Sequence, residues 1–229
     1  PYGDWLNHPF QALRNDPGFD GDAVYAMGPE PAGEFAVVDA YPDRSYYRYT
    51  YRGEWAPDPS EREVEPLLAG QSLRSGPRLA GQTTVGIPDR VTHARVRIET
   101  DAGVATRGVS DPDGELELGW SVDREGARLG SLAGEAVGAE VETERVDEVV
   151  VLVRLVQSAG ATLTYRQATP VRASESGVEA LWPPERTVCP LVDDCGREGT
   201  YLPDGSTRYE GVAFETNLTE AAGDPPTDG

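Results

Sequence analysis

The run Val149-Val-Val-Leu-Val-Arg-Leu-Val156 restricts the fold more than any other stretch of this chain. It is apolar except for Arg154 and dominated by valine. It is far shorter than the roughly 20 apolar residues that cross a bilayer as a helix. β-Branched residues in so short a run suit a central strand buried on both faces rather than a half-exposed one. Such a strand needs neighbours, and the flanking sequence supplies them. Ala94, Val96 and Ile98 alternate with Arg95, Arg97 and Glu99, and Leu116, Leu118, Trp120 and Val122 alternate within Glu115–Val122. Ala161-Thr-Leu-Thr-Tyr165 alternates as well. Asp111-Pro-Asp-Gly114 and Pro203-Asp-Gly205 carry turn chemistry between extended runs. The chain is expected to be all-β, a barrel or sandwich with one base barrel, a second small barrel-like domain and extended arms at both ends.

Composition shifts divide the chain further. Residues 1–33 read as an arm, with Trp5, Leu6, Phe10 and Leu13 on one short amphipathic turn and breakers at Pro17-Gly18 and Gly28–Pro31. Residues 34–90 read as a β segment plus a linker. It opens with Phe35-Ala-Val-Val38 and continues into Ser45–Arg52, where Tyr47, Tyr49 and Tyr51 share one face. Asp58-Pro59 suggests a helix start that Pro66 soon stops, and the Gly-, Ser- and Pro-rich residues 69–90 suggest a linker or a long extended segment. Residues 91–157 form the block expected to be the small barrel. Residues 158–217 are expected to pack with 34–90, and 218–229 form an acidic tail.

All 20 cationic residues are Arg, against 40 Asp plus Glu, for a formal charge of −20. So acidic a surface repels itself in dilute buffer and is screened at molar salt, where the Debye length is about 3 Å. The composition therefore suits very high salt. The scarcity of isoleucine (Ile87 and Ile98 alone) suits a GC-rich genome, and the source reads as a halophilic archaeon or one of its viruses. Nucleic acid is disfavoured as a partner, because it requires clustered cations to displace phosphate counterions. No membrane span is expected.

Catalytic chemistry finds few candidates. Without lysine, Schiff-base and P-loop chemistry are excluded. His8 and His93 do not pair in sequence, and His93 lies on a strand face with Arg95 and Arg97. No catalytic residue, cofactor site or metal site is assigned. Asp111–Glu115 reads as a turn rather than a calcium loop. Two carboxylates acting on a sugar remain open, with no pair singled out. Cys189 and Cys195 enclose CPLVDDC; a disulfide is favoured over two thiols, and both over a metal site. Asn217-Leu-Thr219 is a glycosylation sequon that acquires meaning only in an exported chain.

In residues 102–156 a strand leads to the turn Ser110-Asp-Pro-Asp-Gly114 and a short strand with Trp120. Leu129-Gly-Ser-Leu-Ala-Gly-Glu-Ala-Val-Gly138 and Glu148–Val156 follow. This order of parts resembles the small β-barrel of viral head-decoration and capsid proteins. The resemblance implies a non-enzymatic structural protein of a haloarchaeal virus particle, partnered by other capsid subunits in a homo- or hetero-oligomer. Trp5, Phe10 and Tyr25 in the arm, with Tyr47, Tyr49 and Trp55 on the aromatic face, are the expected assembly contacts. An exported cell-surface or ligand-binding β module is the alternative, supported by the sequon, the cysteine pair and the tyrosine strand. A two-carboxylate carbohydrate-active enzyme is the third reading.

Overall fold

The computed structural model describes residues 15–26, 30–54, 63–190, 200–201 and 213–221. They fall into two compact units, Pro1–Asp43 and Arg44–Gly229. Trp5, Phe10, Trp55, the expected helix start at Asp58 and the turn at Pro203 lie outside the described residues.

In the first unit the apolar run Phe35-Ala-Val-Val38, expected to be β, lies within a helix, α1 (Pro31–Ala40). Pro31 stands in its first turn with φ already set for a helix, Ala32, Ala36 and Ala40 favour the helical backbone, and Glu34 complements the N-terminal dipole. Two adjacent valines do not outweigh these terms. Phe35 and Val38 are its buried residues.

The second unit is an all-β sandwich of two antiparallel sheets. The larger contains β1 (Tyr46–Glu54), β2 (Glu63–Gly76), β4 (Val91–Thr100), β5 (Gly103–Ser110), β9 (Val146–Gln157), β10 (Thr162–Ser174), β11 (Gly177–Trp182), β12 (Glu185–Pro190) and β13 (Thr200–Tyr201). Their order is β11-β2-β1-β13-β12-β10-β9-β4-β5, and β10 pairs with both β12 and β11 along one edge. The smaller sheet contains β3 (Arg78–Gly86), β6 (Glu115–Asp123), β7 (Gly126–Leu132), β8 (Glu135–Glu142) and β14 (Phe214–Ala221), in the order β14-β3-β6-β7-β8.

β9 is the central strand its valines imply. It pairs with β10 on one side and β4 on the other, and Val149 through Val153 are all buried. Val149, Val151, Val153 and Leu155 face the other sheet in the main core, while Val150 and Leu152 join Ala168 in a separate buried cluster. From the smaller sheet Leu116, Leu118, Trp120 and Val122 of β6 answer them, with Leu79 and Val85 of β3 and Phe214 of β14. Burying an aliphatic or aromatic side chain of this kind contributes about 1.5–3 kcal/mol relative to exposure.

Residues 91–157 supply strands to both layers: β4, β5 and β9 to the larger sheet, β6, β7 and β8 to the smaller. The block expected to be a small barrel therefore ties the two layers together. Its Asp111–Gly114 turn carries the chain from one sheet to the other, with Asp111 and Gly114 both at positive φ. Of the two readings of residues 69–90, a linker or a long extended segment, the extended one holds: they contain the end of β2 and all of β3. Glu63–Pro66, at the end of the expected helix, open β2, where Pro66 pairs with Tyr51. β2 meets β11 only from Ser72 onward, so a proline, which has no N–H to donate, is tolerated at Pro66. β14 extends through Ala221, into the residues expected to start the acidic tail.

Two polar arrangements fix the layers. Trp120 Nε1 donates to Thr83 Oγ1 at 3.0 Å, and the same hydroxyl lies 3.2 Å from Gln167 Oε1 and 3.1 Å from Thr216 Oγ1, so one buried hydroxyl links both sheets. The fully buried Asp147 carboxylate accepts backbone N–H bonds from Asp101 at 2.9 Å, Glu144 at 2.8 Å and Glu148 at 2.7 Å. These satisfy oxygens that would otherwise be costly to bury.

Candidate functional site

The described part of the expected aromatic face is built by β1 and β2. Tyr47 pairs with Gly70 and Tyr49 with Leu68, and directly opposed residues of antiparallel strands project to the same face. The Tyr47 ring lies beside Gly70, where an added Cβ would stand 3.9 Å from a ring carbon. Tyr47 and Leu68 are each 63% exposed, the most exposed large apolar side chains among the described residues, whereas Tyr49 is half-buried. Tyr25, in the first unit, is exposed; Trp5, Phe10 and Trp55 are outside the described residues. Elsewhere in this fold an arginine lies over an aromatic ring, Arg186 over Phe214, 5.7 Å from the ring centroid. Phe214 in turn meets Tyr165 edge-on, with centroids 5.4 Å apart. Burial raises the Tyr165 phenol well above its ordinary value, and its hydroxyl donates to Gly86 O at 2.7 Å.

A second surface was not visible in the sequence. On the outer face of the smaller sheet, one row runs across four strands: Asn217 of β14 opposite Gln82 of β3, then Gly119 of β6 and Ser131 of β7. The row borders a shallow trough of about 350 Å³. A Cβ on Gly119 would stand 2.3 Å from Ser131 Oγ, so the glycine lets the serine lie across the sheet. The pairing of β6 with β7 shifts register here, with Gly130 as the extra residue. The trough's residues are small or polar and come from strands far apart in sequence, so no local pattern marks them. The sequon at Asn217 was the one signal.

Cys189, next to last in β12, has 2% exposure and is disulfide-bonded; Cys195 lies outside the described residues. His93 is partly exposed on β4 and lies over Gly108, where an added Cβ would stand 3.1 Å from the imidazole. In the first unit, the residues read only as breakers form a tight loop. The Asp16 carboxylate accepts N–H bonds from Gly21 at 2.9 Å, Gly18 at 3.1 Å and Asp20 at 3.3 Å. The Gly21 N–H is the main reason its pKa falls to about 2, followed by hydrogen bonding with the Asp20 side chain. Asn15 adds reciprocal bonds to the Tyr25 backbone, each 2.7 Å. Among the described residues, no three His, Cys, Asp or Glu side chains gather as a metal site, and no helix is long and apolar enough to cross a membrane.

Over residues 1–169 the chain matches, and it belongs to, the family described as "Domain of unknown function (DUF7846)". The match ends inside β10, although β11 and β14 beyond it pair with β2 and β3. No curated protein and no solved structure matches the chain.

Proposed function

We propose that this DUF7846 member is an exported β-sandwich module of a halophilic cell surface, acting by contact with other protein subunits rather than by catalysis. The bonded state of Cys189, sealed at 2% exposure near the end of β12, carries the reading. Disulfides persist in oxidising compartments and are rare in reducing ones. The all-arginine, acid-rich composition supports exposure to brine, where the surface charge is screened. The exposed pair Tyr47 and Leu68, joined by Tyr49, supplies the contact chemistry. Tyrosine is enriched in protein interfaces, and an aromatic beside an aliphatic residue can anchor a partner in a water-excluding centre. Arginine as the only cation favours pairing with carboxylates and stacking on rings over the looser contacts of lysine.

Protease shaving of intact cells of the source organism tests the location. The reading expects peptides of this chain in the shaved fraction, with Cys189 resistant to alkylation until reduced. Recovery only from the cytosol, with both thiols alkylatable, overturns it. Recovery in purified virus particles and not in the cell envelope overturns it in favour of the capsid-subunit reading. The contact face is tested separately with Tyr47→Asp and Leu68→Asp. Each is expected to weaken association in molar salt by sedimentation at least tenfold while the circular dichroism spectrum is retained. Unchanged association removes this face from the proposal.

A further inference from the structure

We infer that Asn217 is an N-glycosylation site whose glycan lies over the trough on the outer face of the five-stranded sheet. Asn217-Leu-Thr219 has the sequence an oligosaccharyltransferase requires, with a residue other than proline between the two. A sequon alone is common, and the structure adds three facts. Asn217 is exposed and borders the trough directly, so its amide has open space before it. β14 is an edge strand in the pairing among the described residues, so a bulky group there displaces no neighbouring strand. The surface next to the amide is low and polar: Ala80 is small, Ser131 lies across Gly119, and Gln82 and Ser131 offer an amide and a hydroxyl to sugar oxygens.

The reaction needs a lipid phosphate-linked oligosaccharide as donor. The Asn217 side-chain nitrogen bonds to the anomeric carbon of the first sugar. The bond from that carbon to the phosphate oxygen breaks, the lipid phosphate departs with the electron pair, and the amide loses one proton. Nothing is oxidised or reduced. The product stands on the outer face beside β14, an edge strand among the described residues, and its bulk would hinder a second sheet from approaching that edge.

The inference rests on the exported reading, and one experiment separates the two. The protein is purified from its source cells, alkylated without reduction and digested with trypsin. Cleavage after Arg208 puts Asn217 in a peptide that begins at Tyr209, with no Arg or Lys between residues 209 and 229. The expected result is a peptide heavier by whole sugar residues, with the modification at Asn217. Asn217→Gln and Thr219→Ala are each expected to abolish the added mass, and Thr219→Ser to retain it. Thr219→Ser also serves as the folding control, since its hydroxyl can keep the 3.2 Å bond that Thr219 Oγ1 makes to Ala80 O. An unmodified peptide with Cys189 oxidised overturns the glycan and leaves export standing. An unmodified peptide with both cysteines alkylated overturns both.

Discussion

β9 and β3 are both interior strands with a partner on each side, yet they hold their places by different means. β9 fills its surroundings with its own side chains, and Val149 through Val153 are buried whichever face they take. β3 instead leaves a gap for another strand to fill. Gly81 pairs with Trp120 of β6, and a Cβ there would stand 2.1 Å from the indole ring. The indole fills the place of a Gly81 side chain and reaches Thr83 with its N–H. Burial in β9 is spread over many methyl groups, so no single residue dominates. At β3, between the buried Leu79 and Thr83, one position is filled from another strand, by a ring that occupies the place of a missing side chain.

Removing the ring should have the largest effect. Trp120→Ala is expected to cost about 4 kcal/mol, as for other large aromatic truncations in cores. It also leaves the Thr83 hydroxyl short of a partner. Gly81→Ala is expected to cost about 3 kcal/mol, the upper range of overpacking. The double variant should be less unstable than the sum, because the added methyl then occupies space the indole has left. Chemical denaturation of the four proteins in molar salt measures this coupling, and simple additivity would remove Trp120 as the reason for Gly81. Val151→Ala in β9 is expected to cost less, about 2 kcal/mol, since its neighbours keep their own burial. A loss equal to that of Trp120→Ala would erase the contrast between the strands.

The smallest effect lies in the other unit and is local. The Asp16 carboxylate has its pKa lowered to about 2 from an ordinary value of 3.8. A group whose folded pKa is depressed stabilises its loop above the ordinary value and loses that contribution as the pH falls through the folded one. The loop should therefore hold at pH 5 and loosen between about pH 4 and pH 2. Asp16→Asn should loosen it at every pH without moving the sandwich's unfolding midpoint. Protection of the Gly21 amide from hydrogen exchange reports the change, and a midpoint near 4 would show that the N–H bonds to Asp16 are not made.

The same contrast explains what could be read from the residues alone. β9, β4 and β6 announce themselves because their own apolar periodicity decides their burial, and the turn at Asp111–Gly114 is stated by its own chemistry. Residues 69–90 leave a linker and a long extended segment both open because Gly81 has meaning only beside Trp120, its partner in β6. α1 escapes the local pattern because its two adjacent valines suggest a strand, while Pro31 and the three alanines decide for a helix. Of the candidate surfaces, Tyr47 and Tyr49 are legible as alternating aromatics, while the exposure of Leu68 depends on a pairing that no local pattern specifies. The trough depends on four strands meeting, and only its sequon is local.

The partnership of β14 with β3 also sets a clock. Thr83 and Thr216, which touch across this pair, are 133 residues apart in the chain. At a translation rate of 5–20 residues per second, β3 is made roughly 7 to 27 s before β14 exists to cover it. During that interval the nascent chain carries an open strand edge in search of a partner. Under the glycan proposal, the segment that closes it also brings the sequon, and the order of synthesis would give a transferase access before the sheet is sealed.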